Sequence, residues 1–145
     1  RPTVTLPRAW LGDSFDFSFS GLKTALLHRA QEWGLYPALP PGGDPARVAD
    51  LAAAFQEAAV DVMAAKAVAA VARYQAKGLV LGGGVSANTL LRQEVQRRSP
   101  VPVLVPAPRL CTDNAAMIGA AAYFGGREGV GAGMELDAVP NLPIT

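Results

Sequence analysis

At 145 residues, half of them hydrophobic and 17% charged, the chain is long enough to bury a real core as one domain, which excludes a disordered protein. Thirteen Lys and Arg against 12 Asp and Glu leave a formal net charge of +1, so bulk charge does not argue for nucleic acid and only a local basic patch stays open. A single cysteine, Cys111, excludes an internal disulfide and fits a reducing, cytoplasmic compartment; charges interrupt the longest apolar helix and no signal-peptide pattern opens the chain, so no membrane partner is expected.

The chain opens on Arg1 rather than methionine, as a piece of a longer protein would, and residues 1–14, with Pro2 and Pro7, read as an irregular lead-in. Phe15-Asp16-Phe17-Ser18-Phe19-Ser20 alternates apolar and polar, which predicts a short extended segment with three phenylalanines on one face. Ser20 then caps a helix to about Trp33, with Leu22, Leu26, Ala30 and Trp33 on one side and His28 off that face, exposed. Residues 34–43 hold three prolines and three glycines and form a loop. Asp44-Pro45 is a helix start, an N-cap with proline at the first helical position. The helix it opens runs to about Ala76, with Val48, Leu51, Phe55, Ala59, Val62 and Met63 along one stripe. Lys66 falls in line with Val48, about five turns on. Two readings fit it: the amine snorkels to water, or it turns into a cleft and meets an anion.

Gly78 ends that helix and Leu79-Val80-Leu81 suits a short buried strand. Gly82-Gly83-Gly84 follows, where the absence of a Cβ lets the backbone turn sharply and approach a ligand closely. Ser86 is placed to cap the amphipathic run Ala87 to Arg98, with apolar Leu90, Leu91 and Val95. Free N–H groups and a positive dipole end at such a start attract phosphate or carboxylate; otherwise the glycines only make a tight turn. Val103 to Val105 reads as a second strand, parallel to the first across a βαβ unit. Thr112 or Asp113 caps a last helix from Ala115 to about Phe124, ended by Gly125-Gly126. The remainder, with Gly129, Gly131 and Gly133, reads as a flexible connector.

Both helix starts, at Ser86 and at Asp113, are expected at the same carboxyl edge of the sheet, opening on one cleft where open α/β folds collect ligands. Asp113 reads either as a cap or as a carboxylate ligand for a metal beside phosphate. Gly82 to Ala87 satisfies G-x-G-x-x-A, yet between Glu94 and Asp113 there is no acidic residue for a ribose, which weakens a Rossmann dinucleotide site. No Gly-Lys-Ser/Thr follows the glycines, so a P-loop fails. With one histidine, His28, an H-E-x-x-H zinc site fails as well. Cys111 reads as a small cysteine packed at a helix start rather than a nucleophile, and no catalytic residue is assigned.

Three stretches taken together resemble one family. Residues 15–24 (Phe-Asp-Phe-Ser-Phe-Ser-Gly-Leu-Lys-Thr), 83–88 (Gly-Gly-Val-Ser-Ala-Asn) and 111–118 (Cys-Thr-Asp-Asn-Ala-Ala-Met-Ile) are similar to the TsaD (formerly Gcp) proteins. These are the tRNA threonylcarbamoyladenosine transferases, once labelled O-sialoglycoprotein endopeptidases. The resemblance runs from about Phe15 to Phe124. It implies an α/β fold, the helix-rich part of an actin-like ATPase lobe of the sugar kinase and Hsp70 type, with a small, mainly parallel sheet. It implies transfer of a threonylcarbamoyl group from its ATP-derived adenylate to adenosine 37 of tRNAs reading codons that begin with A. On this sequence Gly83, Gly84, Ser86 and Asn88 would lie at the nucleotide, and Asp113 would be a ligand of one divalent metal, iron foremost, zinc or magnesium otherwise. Partners implied are tRNA and the accessory subunits of the transfer complex. The family's other metal ligands, a histidine pair spaced i, i+4, belong to a preceding half that these 145 residues lack. Residues 1–145 thus read as the C-terminal half of a two-lobed transferase, inactive alone. The other class in play is a non-catalytic nucleotide-binding or assembly module of the same fold. Lys23 belongs to the motif without a firm role.

Overall fold

The computed structural model describes residues 2–37, 44–125, 133 and 137. Two of the shorter helices and the sheet pack along one long helix. Helix α1 spans Ser20–Glu32, α2 Pro45–Arg73, α3 Thr89–Arg98 and α4 Ala115–Gly125, with strands β1 (Leu79–Val80) and β2 (Val103–Leu104). Single 3₁₀ turns at Gly84–Ala87 and Pro108–Leu110 follow the two strands. Most of the expected connector lies outside the described residues.

Helix α2 starts as its sequence demands: the Asp44 carboxylate accepts the N–H of Ala46 at 2.9 Å and Pro45 occupies the first turn, where its missing N–H costs nothing. Its 29 residues make a rod about 44 Å long. One end buries Leu51, Ala54 and Ala58 against Leu6 and Leu22, with Phe19, Leu26 and Trp33 alongside. The other end buries Val60 and Ala64 against Leu91 and Val95, with Leu79 and Val103 of the sheet alongside. The single expected stripe is therefore too narrow. Val48 is exposed and Phe55, Ala59 and Met63 are half-buried, while Ala54, Ala58 and Ala64 are sealed. A helix gripped by α1 at one end and by α3 and the sheet at the other buries more than one face, and alanines allow close approach.

The strands pair in parallel, Leu79 with Val103 and Val80 with Leu104, joined through α3 as a strand–helix–strand unit. They are two residues each, shorter than expected, although the Leu81 N–H still reaches the Leu104 carbonyl at 3.0 Å. The fold is thus helix-rich with a small parallel sheet among the described residues.

Residues 15–20 form no strand. Phe17 and Phe19 do share a face, their rings stacked at 6.1 Å, but Phe15 turns to Tyr74 at 5.9 Å. The Lys66 ammonium takes the carbonyl oxygens of Ser14 at 2.7 Å and of Asp16 at 2.5 Å, which a ladder partner would otherwise use. Helix α1 begins at Ser20 itself, with Phe19 in the capping position and no side-chain cap; the Ser20 hydroxyl lies 2.8 Å from that of Ser18. His28 is exposed, as its position off the apolar face requires.

Candidate functional site

The stretch after β1 is shaped by one glycine. Gly83 has φ +81° and ψ 169°, a conformation that an L side chain rarely adopts, and it turns the chain from the strand into the 3₁₀ turn. Nothing stands within 4 Å of where a Cβ would project from Gly82, Gly83 or Gly84. Among the described residues the N–H groups of Gly83 and Gly84 have no acceptor. The turn therefore offers two adjacent backbone donors beside open space at the glycines' Cβ positions, groups that an anion can meet.

Ser86 does not cap the following helix. It sits inside the 3₁₀ turn, 2% exposed, and its hydroxyl donates to the Gly83 carbonyl at 2.6 Å. Committed there, it braces the turn from behind. The cap is Asn88, whose Oδ1 accepts the N–H of Leu91 at 3.0 Å, opening α3 at Thr89. The Asn88 amide nitrogen donates to Gln56 Oε1 of α2 at 3.0 Å, fixing the start of α3 on the long helix.

At the second turn the cap is Asn114, not Thr112 or Asp113. Its Oδ1 accepts the N–H of Met117 at 3.0 Å and its amide nitrogen donates to the Thr112 carbonyl at 2.9 Å. That leaves the Asp113 carboxylate exposed and without a partner among the described residues. Cys111 is buried, its Sγ within 3.5 Å of the Ala107 carbonyl, as a packed cysteine should be.

One residue that the sequence pattern did not single out joins the two turns. Arg92, on α3, donates from Nε to the Ser86 carbonyl at 2.5 Å and from Nη2 to Cys111 Sγ at 2.8 Å. A signal exists in the spacing: Arg92 stands four residues after Asn88 and so shares its helix face. Gly83, Ser86 and Asn88 thus form one turn, and among the described residues the hydrogen bonds that link it to the Asp113 segment run through Arg92 and Cys111.

Lys66 fits neither of its two readings. It is 7% exposed, bonded to two backbone carbonyls and lying 5.4 Å over the Phe17 ring, so it holds residues 14–17 against α2. Lys23 is exposed. A cleft of about 400 Å³ opens between α2 and α3, lined by Gln56, Asp61, Leu90, Glu94 and Arg98 among others. None of Gly83, Gly84, Ser86, Asn88 or Asp113 lines it. Apart from Glu57, its charges are mutually paired: Arg98 bridges Asp61 at 2.7 Å and Glu94 at 2.7 Å, and Arg8 reaches Asp61 at 3.3 Å. Hydrogen bonds from Arg97 and Arg98 hold the Glu94 carboxyl down from its usual 4.5 to about 2.

The family model for TsaD, tRNA N6-adenosine threonylcarbamoyltransferase, matches residues 1–120, a span that contains both turns and Arg92. The chain belongs to this family. Proteins bearing the same description are 48% identical in Thermomicrobium roseum, over 97% of this chain and 42% of theirs. A Dehalococcoides mccartyi relative is 44% identical over 100% of this chain and 41% of its own, and one from Bacillus cereus 44% over 99% and 42%. The chain spans about two fifths of the length of these TsaD relatives.

Among the described residues no three His, Cys, Asp or Glu side chains come together as a metal-holding group. Asp113 is one exposed carboxylate, and the neighbouring Cys111 thiol faces Arg92. A tightly held catalytic metal needs about three protein ligands, so the residues present do not make a metal centre by themselves. Among the described residues no helix is long and apolar enough to cross a membrane.

Proposed function

We propose that residues 1–145 are the C-terminal half of a two-lobed, actin-like transferase that moves a threonylcarbamoyl group from threonylcarbamoyl-adenylate to adenosine 37 of tRNAs reading A-starting codons. What carries this is the glycine turn, open at its Cβ positions and with the Gly83 and Gly84 N–H groups free among the described residues, within a chain whose TsaD match covers it. In this reading the N–H groups of Gly83 and Gly84 meet the adenylate phosphate and Asn88 lies at the nucleotide. Ser86 serves the same site from behind by holding the Gly83 carbonyl.

The chemistry asked of this half is anion stabilisation. As the exocyclic amine of adenosine attacks the carbamoyl carbon and AMP leaves, negative charge collects on the phosphate. Preorganised backbone donors stabilise that charge without having to reorient. Asp113 supplies one ligand to a divalent metal, iron foremost, with zinc or magnesium as alternatives; the remaining ligands come from outside this chain. tRNA and the accessory subunits of the transfer complex are the partners, in the cytoplasm.

The test is modification of tRNA by the full-length parent with threonine, bicarbonate, ATP and the accessory subunits. The parent is expected to modify tRNA, residues 1–145 alone are not, and Asp113→Ala in the parent abolishes the reaction. Turnover by residues 1–145 alone overturns the reading. Undiminished modification by Asp113→Ala with loss of subunit binding would establish an assembly module instead.

A further inference from the structure

We propose that Arg92 is a positioning residue that ties the glycine turn to the segment carrying Asp113, setting the separation of the two halves of the site. This rests on the nucleotide-site reading above and adds a residue to it. The root of Arg92 is fixed, because its own N–H bonds to the Asn88 carbonyl at 3.2 Å, one turn back along α3. From there one half-buried guanidinium reaches the Ser86 carbonyl and the Cys111 sulfur. Ser86 in turn holds Gly83, and Cys111 precedes Asp113 by two residues. A continuous chain of bonds therefore runs from the glycine that shapes the first turn to the carboxylate on the second.

The choice of arginine has a physical reason. A guanidinium is a rigid plane whose donors diverge in a fixed fork, so it sets the angle between its two acceptors; an ammonium such as that of Lys66 can also bond two carbonyls, but its donors rotate on a flexible stem and fix no such angle. Its acceptors here are a neutral carbonyl and a sulfur, and neither is a carboxylate. A partly buried cation bonded to uncharged acceptors, with the Asp113 carboxylate two residues beyond Cys111 left unpaired among the described residues, contributes geometry more than charge pairing. Among the described residues no other hydrogen bond joins residues 82–88 to residues 111–114.

The test is kinetic and uses the full-length parent with its accessory subunits and tRNA. Displacing a reacting group by about 1 Å costs on the order of 10²-fold in rate. Arg92→Ala and Arg92→Lys are each expected to lower kcat about 10- to 100-fold with KM for tRNA unchanged. Cys111→Ala, a small change that keeps the fold, is expected to lower kcat in the same direction. The double variant Arg92→Ala, Cys111→Ala should lose no more than Arg92→Ala alone, because both act through one link. Wild-type kcat in Cys111→Ala or in Arg92→Ala, or independent, multiplying losses in the double variant, overturns the proposal. Asp113→Ala run alongside separates the two levels: if it is inactive while Arg92→Ala is not, only the positioning role falls. If Asp113→Ala is fully active, the site reading itself falls.

Discussion

Gly83 and Gly84 are neighbours with different reasons to be glycine, and substitution separates those reasons. Gly83 is held at φ +81°, so a Cβ there strains the backbone by about 1–2 kcal/mol wherever the ligand sits. Gly84 has no such φ, and no atom lies within 4 Å of the place its Cβ would take, so alanine fits the fold freely. Urea unfolding of residues 1–145 should therefore show Gly83→Ala destabilised and Gly84→Ala unchanged or slightly stabilised, since alanine narrows the unfolded ensemble. In the parent enzyme, both are expected to lose transferase activity, because a methyl group at either glycine occupies the space the phosphate needs. A fully active Gly84→Ala would mean that no ligand approaches the turn from that side. Lys66 shows the opposite case at the same scale. Its place on an apolar stripe is legible in the sequence, but its partners are backbone carbonyls 50 and 52 residues earlier, which no local pattern encodes.

At the scale of elements, the sequence pattern places four helices and two parallel strands nearly correctly and misplaces three of the N-caps by one or two residues. It also runs α2 past its end at Arg73, where Gln75 (φ 51°) rather than Gly78 turns the chain. For the N-caps the physical reason is competition. At 86–88 and at 112–114 several good capping side chains stand close together, and which one caps depends on what its neighbours bond. Ser86 is spent on Gly83, so Asn88 caps α3; Asn114 reaches both Thr112 and Met117, so Asp113 is left free. Where only one candidate exists, as at Asp44, sequence and structure agree. Helix α3 also carries a pH dependence. The Glu94 carboxyl sits at about 2 in the folded chain against its usual 4.5, so its contribution is complete above about pH 4.5 and is lost as pH falls toward 2. Glu94→Gln should flatten the acid limb of stability in that window, read from the urea midpoint of residues 1–145 between pH 5 and pH 2. An unchanged acid limb would show that the Glu94–Arg97–Arg98 cluster does not form in solution.

Across the whole molecule, stability and function are centred in different places. The sealed core lies along α2, where Val62 and Val95 are the largest fully buried side chains, while α4 buries none of its residues among those described. Ile118 is 63% exposed and Phe124 68%, and the outward sheet residues Val80 and Leu104 are 72% and 68% exposed. A helix that removes so little apolar area from water gains little from packing, and an isolated stretch of 11 residues is marginal on propensity alone. The turn bearing Asp113 is therefore not anchored from its C-terminal side by α4; it is anchored from its N-terminal side, through buried Cys111 and Arg92. Hydrogen exchange on residues 1–145 should grade accordingly: amides in the middle of α2 and at Leu91 to Val95 slowest, those of α4 close to unprotected. Val95→Ala should cost about 1–2.5 kcal/mol, whereas Ile118→Ser and Phe124→Ser should each stay within about 0.5 kcal/mol, measured by urea unfolding. The exchange pattern would be decisive, because α4 amides protected as strongly as those of α2 would mean that this helix packs in solution, and the Asp113 turn would then be held from both sides.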